Sequence, residues 1–114
     1  MEKSTARLLV DLKGPQERDR LIAVRLLPQR KGDAVQIVPA LIEALNDKES
    51  DIRLSAAIGL GLFGERATDA IPALKQAAQK DHDARARRAA GIALSRIDPK
   101  NFTDPSKQPP DRKK

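Results

Sequence analysis

The stretch Val38–Leu62, VPALIEALNDKESDIRLSAAIGLGL, comes round a second time. From Ile71 to Arg96 the chain reads IPALKQAAQKDHDARARRAAGIALSR. Pro39 returns 33 residues later as Pro72, while Arg53 and Ile58 return 34 residues later as Arg87 and Ile92. One residue has therefore been added in the turn between the two helices of the unit. Self-similarity at a period of this size is the mark of an array of stacked structural units, and it outranks any local reading.

A worn copy precedes the two clear ones. A shift of 33 lays Leu8 on Leu41, Leu12 on Leu45, Arg20 on Arg53, Ala23 on Ala56 and Leu27 on Leu60. Each unit reads as two helices. The first unit predicts helices over Ser4–Lys13 and Pro15–Leu27, with Ser4 or Thr5 as N-cap and Gly14-Pro15 between them. The second predicts a helix from Asp33 to about Asn46, opened by a capping box of Asp33 with Gln36 and bent near Pro39, then Asp51–Phe63 closed by Gly64. The third predicts Ala67–Lys80, with Pro72 near its start, and Ala84–Ile97. The expected fold is all-α: a right-handed α-solenoid of three helical hairpins, six helices in all. The hairpins run over about 4–31, 33–64 and 66–98 within a domain of residues 1–98. Each hairpin is amphipathic and buries its apolar side on its neighbours.

Composition agrees with that reading and removes several functions. The chain has 114 residues, enough for one short array, and its aromatic residues are Phe63 and Phe102 alone. A core of Ala, Leu, Ile and Val suits short helices at close approach. Without Trp or Tyr the usual interface anchors and base-stacking surfaces are missing. There is no Cys, so neither a disulfide framework nor thiolate chemistry is available. No apolar run approaches the roughly 20 residues that span a bilayer. The N-terminal residues lack a signal-peptide layout, because their apolar run is short and broken by Asp11. The expectation is a cytoplasmic protein without a membrane span, although a leader removed upstream is compatible with the same sequence.

The net charge of +6 is unevenly spread. Residues 1–98 hold 17 Lys and Arg against 14 Asp and Glu, and residues 99–114 hold 5 against 2. Half the basic excess thus sits in the last 16 residues. This segment has Pro at 105, 109 and 110 and is expected to be a disordered basic tail, with Phe102 free to dock on the last hairpin.

The motif V/I-P-A-L at 38–41 and 71–74, followed by Arg-x-x-A/S-A/G at 53–57 and 87–91, resembles the short HEAT-like repeats noted in phycobilisome bilin lyases. The resemblance covers residues 4–98. It implies that the Pro-bearing first helices face outward and the second helices line a concave face. It also implies a ladder of turn Asp and helix Arg, here Asp47 with Arg53 and Asp81 with Arg87. Gly14 stands at the Asp position of the first unit, so the ladder should be interrupted there.

Aligned positions on the second helices give Leu21, Arg25 and Gln29; Leu54, Ile58 and Leu62; and Arg88, Ile92 and Arg96. Each set is spaced i, i+4, i+8 and lies along one stripe. The middle helix is apolar where its neighbours are basic. Two readings stand: side chains filling gaps between adjacent helices, or a shallow groove with Leu54, Ile58 and Leu62 as its floor and Arg25, Arg88 and Arg96 as its rim, with Ile92 beside it. Such a groove suits an unidentified protein or an acidic amphipathic peptide. The alternatives are nucleic acid bound by the same arginines and the tail lysines, and an accessory role like that of the bilin-lyase repeats.

Catalytic and metal chemistry find little footing. His82 is the one histidine and stands between two Asp in a turn, whereas a metal of its preference wants several converging N or S ligands. Asp47, Glu49, Asp51, Asp81 and Asp83 lie at turns and helix starts, where capping explains them. No catalytic residue, cofactor site or metal site is expected. Gly59 and Gly61 lie inside a helix at a cost of about 0.5–1 kcal/mol each relative to Ala, which points to close approach by a neighbouring helix. The first helix is apolar around much of its girth, at Leu8, Leu9, Val10 and Leu12, and suggests end-to-end self-association.

Overall fold

A computed structural model describes residues 3–107. These residues form α-helices joined by turns and 3-10 segments, with no strand among them. The first hairpin pairs α1 (Thr5–Leu12) with α2 (Glu17–Leu26), the second α3 (Ala34–Ala44) with α4 (Ser50–Phe63), and the third α5 (Ile71–Lys80) with α6 (Ala84–Ile97). The hairpins follow one another in a row, and the molecule measures 55 × 26 × 23 Å.

Caps and turns account for most of the helix boundaries. The Ser4 hydroxyl accepts from the Arg7 amide at 3.1 Å and opens α1. The Asp83 carboxylate does the same for α6 through the Arg85 amide at 2.8 Å. Gly64 ends α4 with a φ of 58°, a conformation that favours glycine. The start of α2 is later than Pro15, because Pro15 and Gln16 stay outside the helix and Gln16 flanks it in an extended conformation. The capping box at Asp33 does not form. Asp33 flanks α3 but its side chain caps nothing; it accepts instead from the Thr5 hydroxyl at 2.6 Å. That bond ties the first helix of the array to the start of the second unit.

The expected helix from Ala67 is divided. Gly64–Ala70 runs as a 3-10 segment with a non-helical Ala67 (φ −104°, ψ 24°), and the α-helix begins only at Ile71. Pro72 has no amide hydrogen to give the carbonyl of Thr68, and its ring crowds that carbonyl. Pro39 is accommodated inside α3, in the second turn.

The core runs through all three units. Leu8, Val24, Leu27, Ile37, Leu41, Ile52, Leu60 and Leu74 are fully buried. The two glycines of α4 set the helix spacing. A Cβ on Gly59 would lie 2.6 Å from the Pro28 ring, and one on Gly61 would lie 3.1 Å from Cα of Ala93. One glycine thus faces the first unit and the other faces α6. At the end of α4, Lys31 and Arg66 lie 5.9 and 5.7 Å from the centre of the Phe63 ring.

The tail needs correction over the part described. Residues 99–107 turn back on the last hairpin, although most of their side chains stay exposed. Phe102 packs on the core, its amide and that of Asn101 bond to the Asp98 carbonyl, and Pro105–Lys107 makes a 3-10 turn. Pro105 lies against Gly91, 2.8 Å from where a Cβ would stand. The rest of the tail expected to be disordered, residues 108–114, lies outside the described residues.

Candidate interaction face

The ladder is present, with a different pairing from the one expected. The carboxylate partner of each arginine belongs to the next unit. Arg20 donates through Nε to Asp47 at 2.9 Å and through Nη2 at 3.2 Å. Arg53 donates in the same way to Asp81 at 2.9 and 3.1 Å. Asp47 does pair with Arg53, but through its backbone carbonyl, at 2.9 Å to Nη1; Arg87 takes the carbonyl of Asp81 likewise at 2.7 Å. The reason lies in the turn. Asp47 and Asp81 each accept the amide two residues on, from Glu49 and Asp83, and this holds the carboxylate toward the preceding unit. The first unit is consequently not a break. Arg20 bonds the carbonyls of Gly14 and Pro15 with Nη1 and reaches Asp47 with its other edge.

These planar two-point contacts are nearly out of solvent, the Arg20 and Asp47 side chains being 6% and 11% exposed. Burial pulls the Asp81 carboxyl up, but the Arg53 guanidinium and the Asp83 amide bring it below the usual carboxylate range. Asp11, also buried, is held low by hydrogen bonds from Lys3 and Arg7.

The stripes of α2, α4 and α6 meet on one face. Two hollows open there. The larger, about 380 Å³, lies between α4 and α6 and is bounded by Leu54, Ile58 and Leu62 on one side and by Arg88, Ile92 and Arg96 on the other. The second, about 330 Å³, lies between α2 and α4 and includes Val24, Arg25, Pro28 and Gln29. Leu54, Ile58 and Leu62 border both hollows. They form a crest, not a floor: Ile58 and Leu62 are 50% and 48% exposed, and the buried Ala57, Gly61, Ala89 and Ala93 lie beneath. Eight of the nine stripe residues border these two hollows; Leu21 borders neither.

What the stripes missed is the base of the larger hollow and the role of Arg85. Small residues at 57 and 61 facing 89 and 93 were the available signal, since they repeat at helical spacing. Arg85 also borders the hollow, but Asp51 and Asp83 hold it at 2.9 and 2.7 Å. Those contacts raise its pKa further, and hold Asp83 far below the carboxylate range. Arg25 and Arg88 make no hydrogen bond or ion pair among the described residues, and Arg96 acts through space on Asp104. Among the described residues no carboxylate borders either hollow.

The model of the family of HEAT repeats matches residues 5–95, most of the chain. The chain is a HEAT-repeat protein. None of the curated proteins searched matches it. The hairpins and their ladder are thus the HEAT repeats of this protein, and HEAT repeats are commonly interaction scaffolds. No helix among the described residues is long and apolar enough to cross a membrane. Nor do three His, Cys, Asp or Glu side chains converge there as a metal site would require.

Proposed function

We propose that this HEAT-repeat protein is a non-enzymatic binding module whose α2–α4–α6 face receives an acidic amphipathic helix. The observation that carries the reading is the crest of Leu54, Ile58 and Leu62, exposed at Ile58 and Leu62, standing between two hollows that cations border and, among the described residues, no acid does. Aliphatic side chains half in water are surplus to the packing of the array, and a partner helix covers them with its own apolar stripe. Arg25, Arg88 and Arg96 then meet carboxylates on the flanks of that helix. Arg88 and Arg96 stand eight residues apart on α6, about 12 Å at 1.5 Å per residue, so they match acids two turns apart.

Selection of helical peptides from an unbiased display library on the intact protein tests this. The expected binders carry Leu or Phe at i, i+4 with Glu or Asp beside them, and they are lost on Ile58→Asp. A set of binders without acids, or binders indifferent to Ile58→Asp, would overturn it. Duplex DNA bound with an affinity that falls steeply with salt would favour nucleic acid instead.

A further inference from the structure

We infer that the outer face of α6 is a stacking surface for one further helical hairpin carried by another chain, and that residues 99–107 hold that surface covered. This inference is independent of the occupant of the α2–α4–α6 face.

Each internal junction of the array has the same two parts. One is the arginine fork: Arg20 and Arg53 use Nη1 on their own turn and present Nε and Nη2 to the aspartate of the next unit. The other is close approach of neighbouring second helices through small residues: at the first junction Gly59 of α4 lies against Pro28, and at the second a stripe on α4 receives α6. On α4 the stripe is Ala57 and Gly61, and Ala93 of α6 lies against it. Arg87, Gly91 and Ser95 occupy the same positions on α6, each 34 residues after Arg53, Ala57 and Gly61. Arg87 holds the carbonyls of Asp81 and His82 with Nη1, as the other two forks hold theirs. Among the described residues its outer edge meets no carboxylate.

The tail stands where a fourth hairpin would. Pro105 rests on Gly91, the counterpart of Ala57, and Phe102, three residues before it, packs on the core. A proline ring and one phenyl ring make a small latch that covers the small-residue stripe and leaves the Arg87 fork open.

The internal junctions specify the occupant. It carries an aspartate in its turn, as Asp47 and Asp81 do, and small residues on its second helix, as Ser55 and Gly59 or Ala89 and Ala93 do. A second copy of this chain does not qualify. Its first unit has Gly14 in place of the aspartate and Ile22 and Leu26 in place of the small residues. Both are exposed, at 42% and 37%, and their bulk keeps a neighbour from the spacing that Gly59 and Ala93 allow. The expected end-to-end self-association is thereby disfavoured.

A designed head provides the probe. The full chain carrying Gly14→Asp, Ile22→Ser and Leu26→Gly has the head of an internal unit and is mixed with the full chain carrying Phe102→Asp, which releases the latch. Light scattering coupled to size exclusion reads the mass, and circular dichroism verifies that each variant is helical. The expected result is a one-to-one complex of twice the single-chain mass, about tenfold or more tighter than with the latched chain, and lost when Arg87→Ala is added. If Leu26→Gly unfolds the head, Leu26→Ala takes its place, since Ala93 shows that alanine fits there. Helical variants that form no complex, a complex equally tight with the latched chain, or one indifferent to Arg87→Ala would each overturn the inference.

Discussion

At the scale of the residue, the array depends on side chains that are absent as much as on those present. Gly61 gives up helix propensity worth about 0.5–1 kcal/mol so that Ala93 can come close. Gly61→Val is expected to destabilise the protein by about 1–3 kcal/mol in urea denaturation, because the contact is with backbone and cannot swing aside. Gly59→Ala gains propensity but meets the rigid Pro28 ring, and the balance is expected to be destabilising. The ladder makes a second expectation. Asp81→Ala leaves the Arg53 fork without its carboxylate and is expected to cost about 1–3 kcal/mol by the same measurement. Acid acts on the same groups. The folded structure holds the Asp81 and Asp11 carboxyls below the ordinary aspartate value of 3.8, so they contribute stability above that pH. The contribution is lost as pH falls through the folded values. A pH series of thermal melts is expected to show the midpoint falling below about pH 4, with a smaller fall in Asp81→Ala. The identities of these residues were legible in the sequence from their period. Their pairing was not, because a period shows which residues are equivalent and not which unit each side chain reaches.

At the scale of the element, helix starts and ends divide by cause. Ser4 and Gly64 act through their own backbone neighbourhood, so local rules found them. Ser4→Ala is expected to cost about 1 kcal/mol and to raise hydrogen exchange in α1 first. Asp33 looks identical to a cap by local rules, yet Thr5, from another helix, takes its carboxylate. The 3-10 stretch Gly64–Ala70 and the docked residues 99–107 share that character. Proline content pointed to a disordered tail with Phe102 free to dock on the last hairpin; the seat of Pro105 on Gly91 was not legible, because it depends on the uncovered side of α6. A tail of low apolar content can still settle where an adjacent surface offers a glycine for its proline and a core edge for its one phenylalanine. The stripes on α2, α4 and α6 were legible because they repeat. Whether Leu54, Ile58 and Leu62 form a floor or a crest depends on the depth of Ala57 and Gly61 relative to their neighbours, which spacing along one helix does not contain.

At the scale of the whole molecule, the three HEAT hairpins differ where the array needs them alike least. The middle unit is flanked on both sides and has small residues facing both neighbours. The first ends in Ile22 and Leu26, and the last is covered by the tail. The proposed interaction face runs across all three, with its apolar crest in the middle unit and the cations Arg25, Arg88 and Arg96 on the outer two. That division makes charge and apolar contact separable by mutation. The most direct measurement is fluorescence anisotropy of two helical peptides at physiological salt, one with a Leu stripe flanked by Glu and the other identical but flanked by Lys. The account predicts that the Glu peptide binds the intact protein and the Lys peptide does not. It also predicts that Ile58→Asp abolishes binding with helicity unchanged, and that Arg88→Glu with Arg96→Glu reverses the preference. Equal binding of the two peptides, or binding of the Glu peptide undiminished by Ile58→Asp, would contradict it.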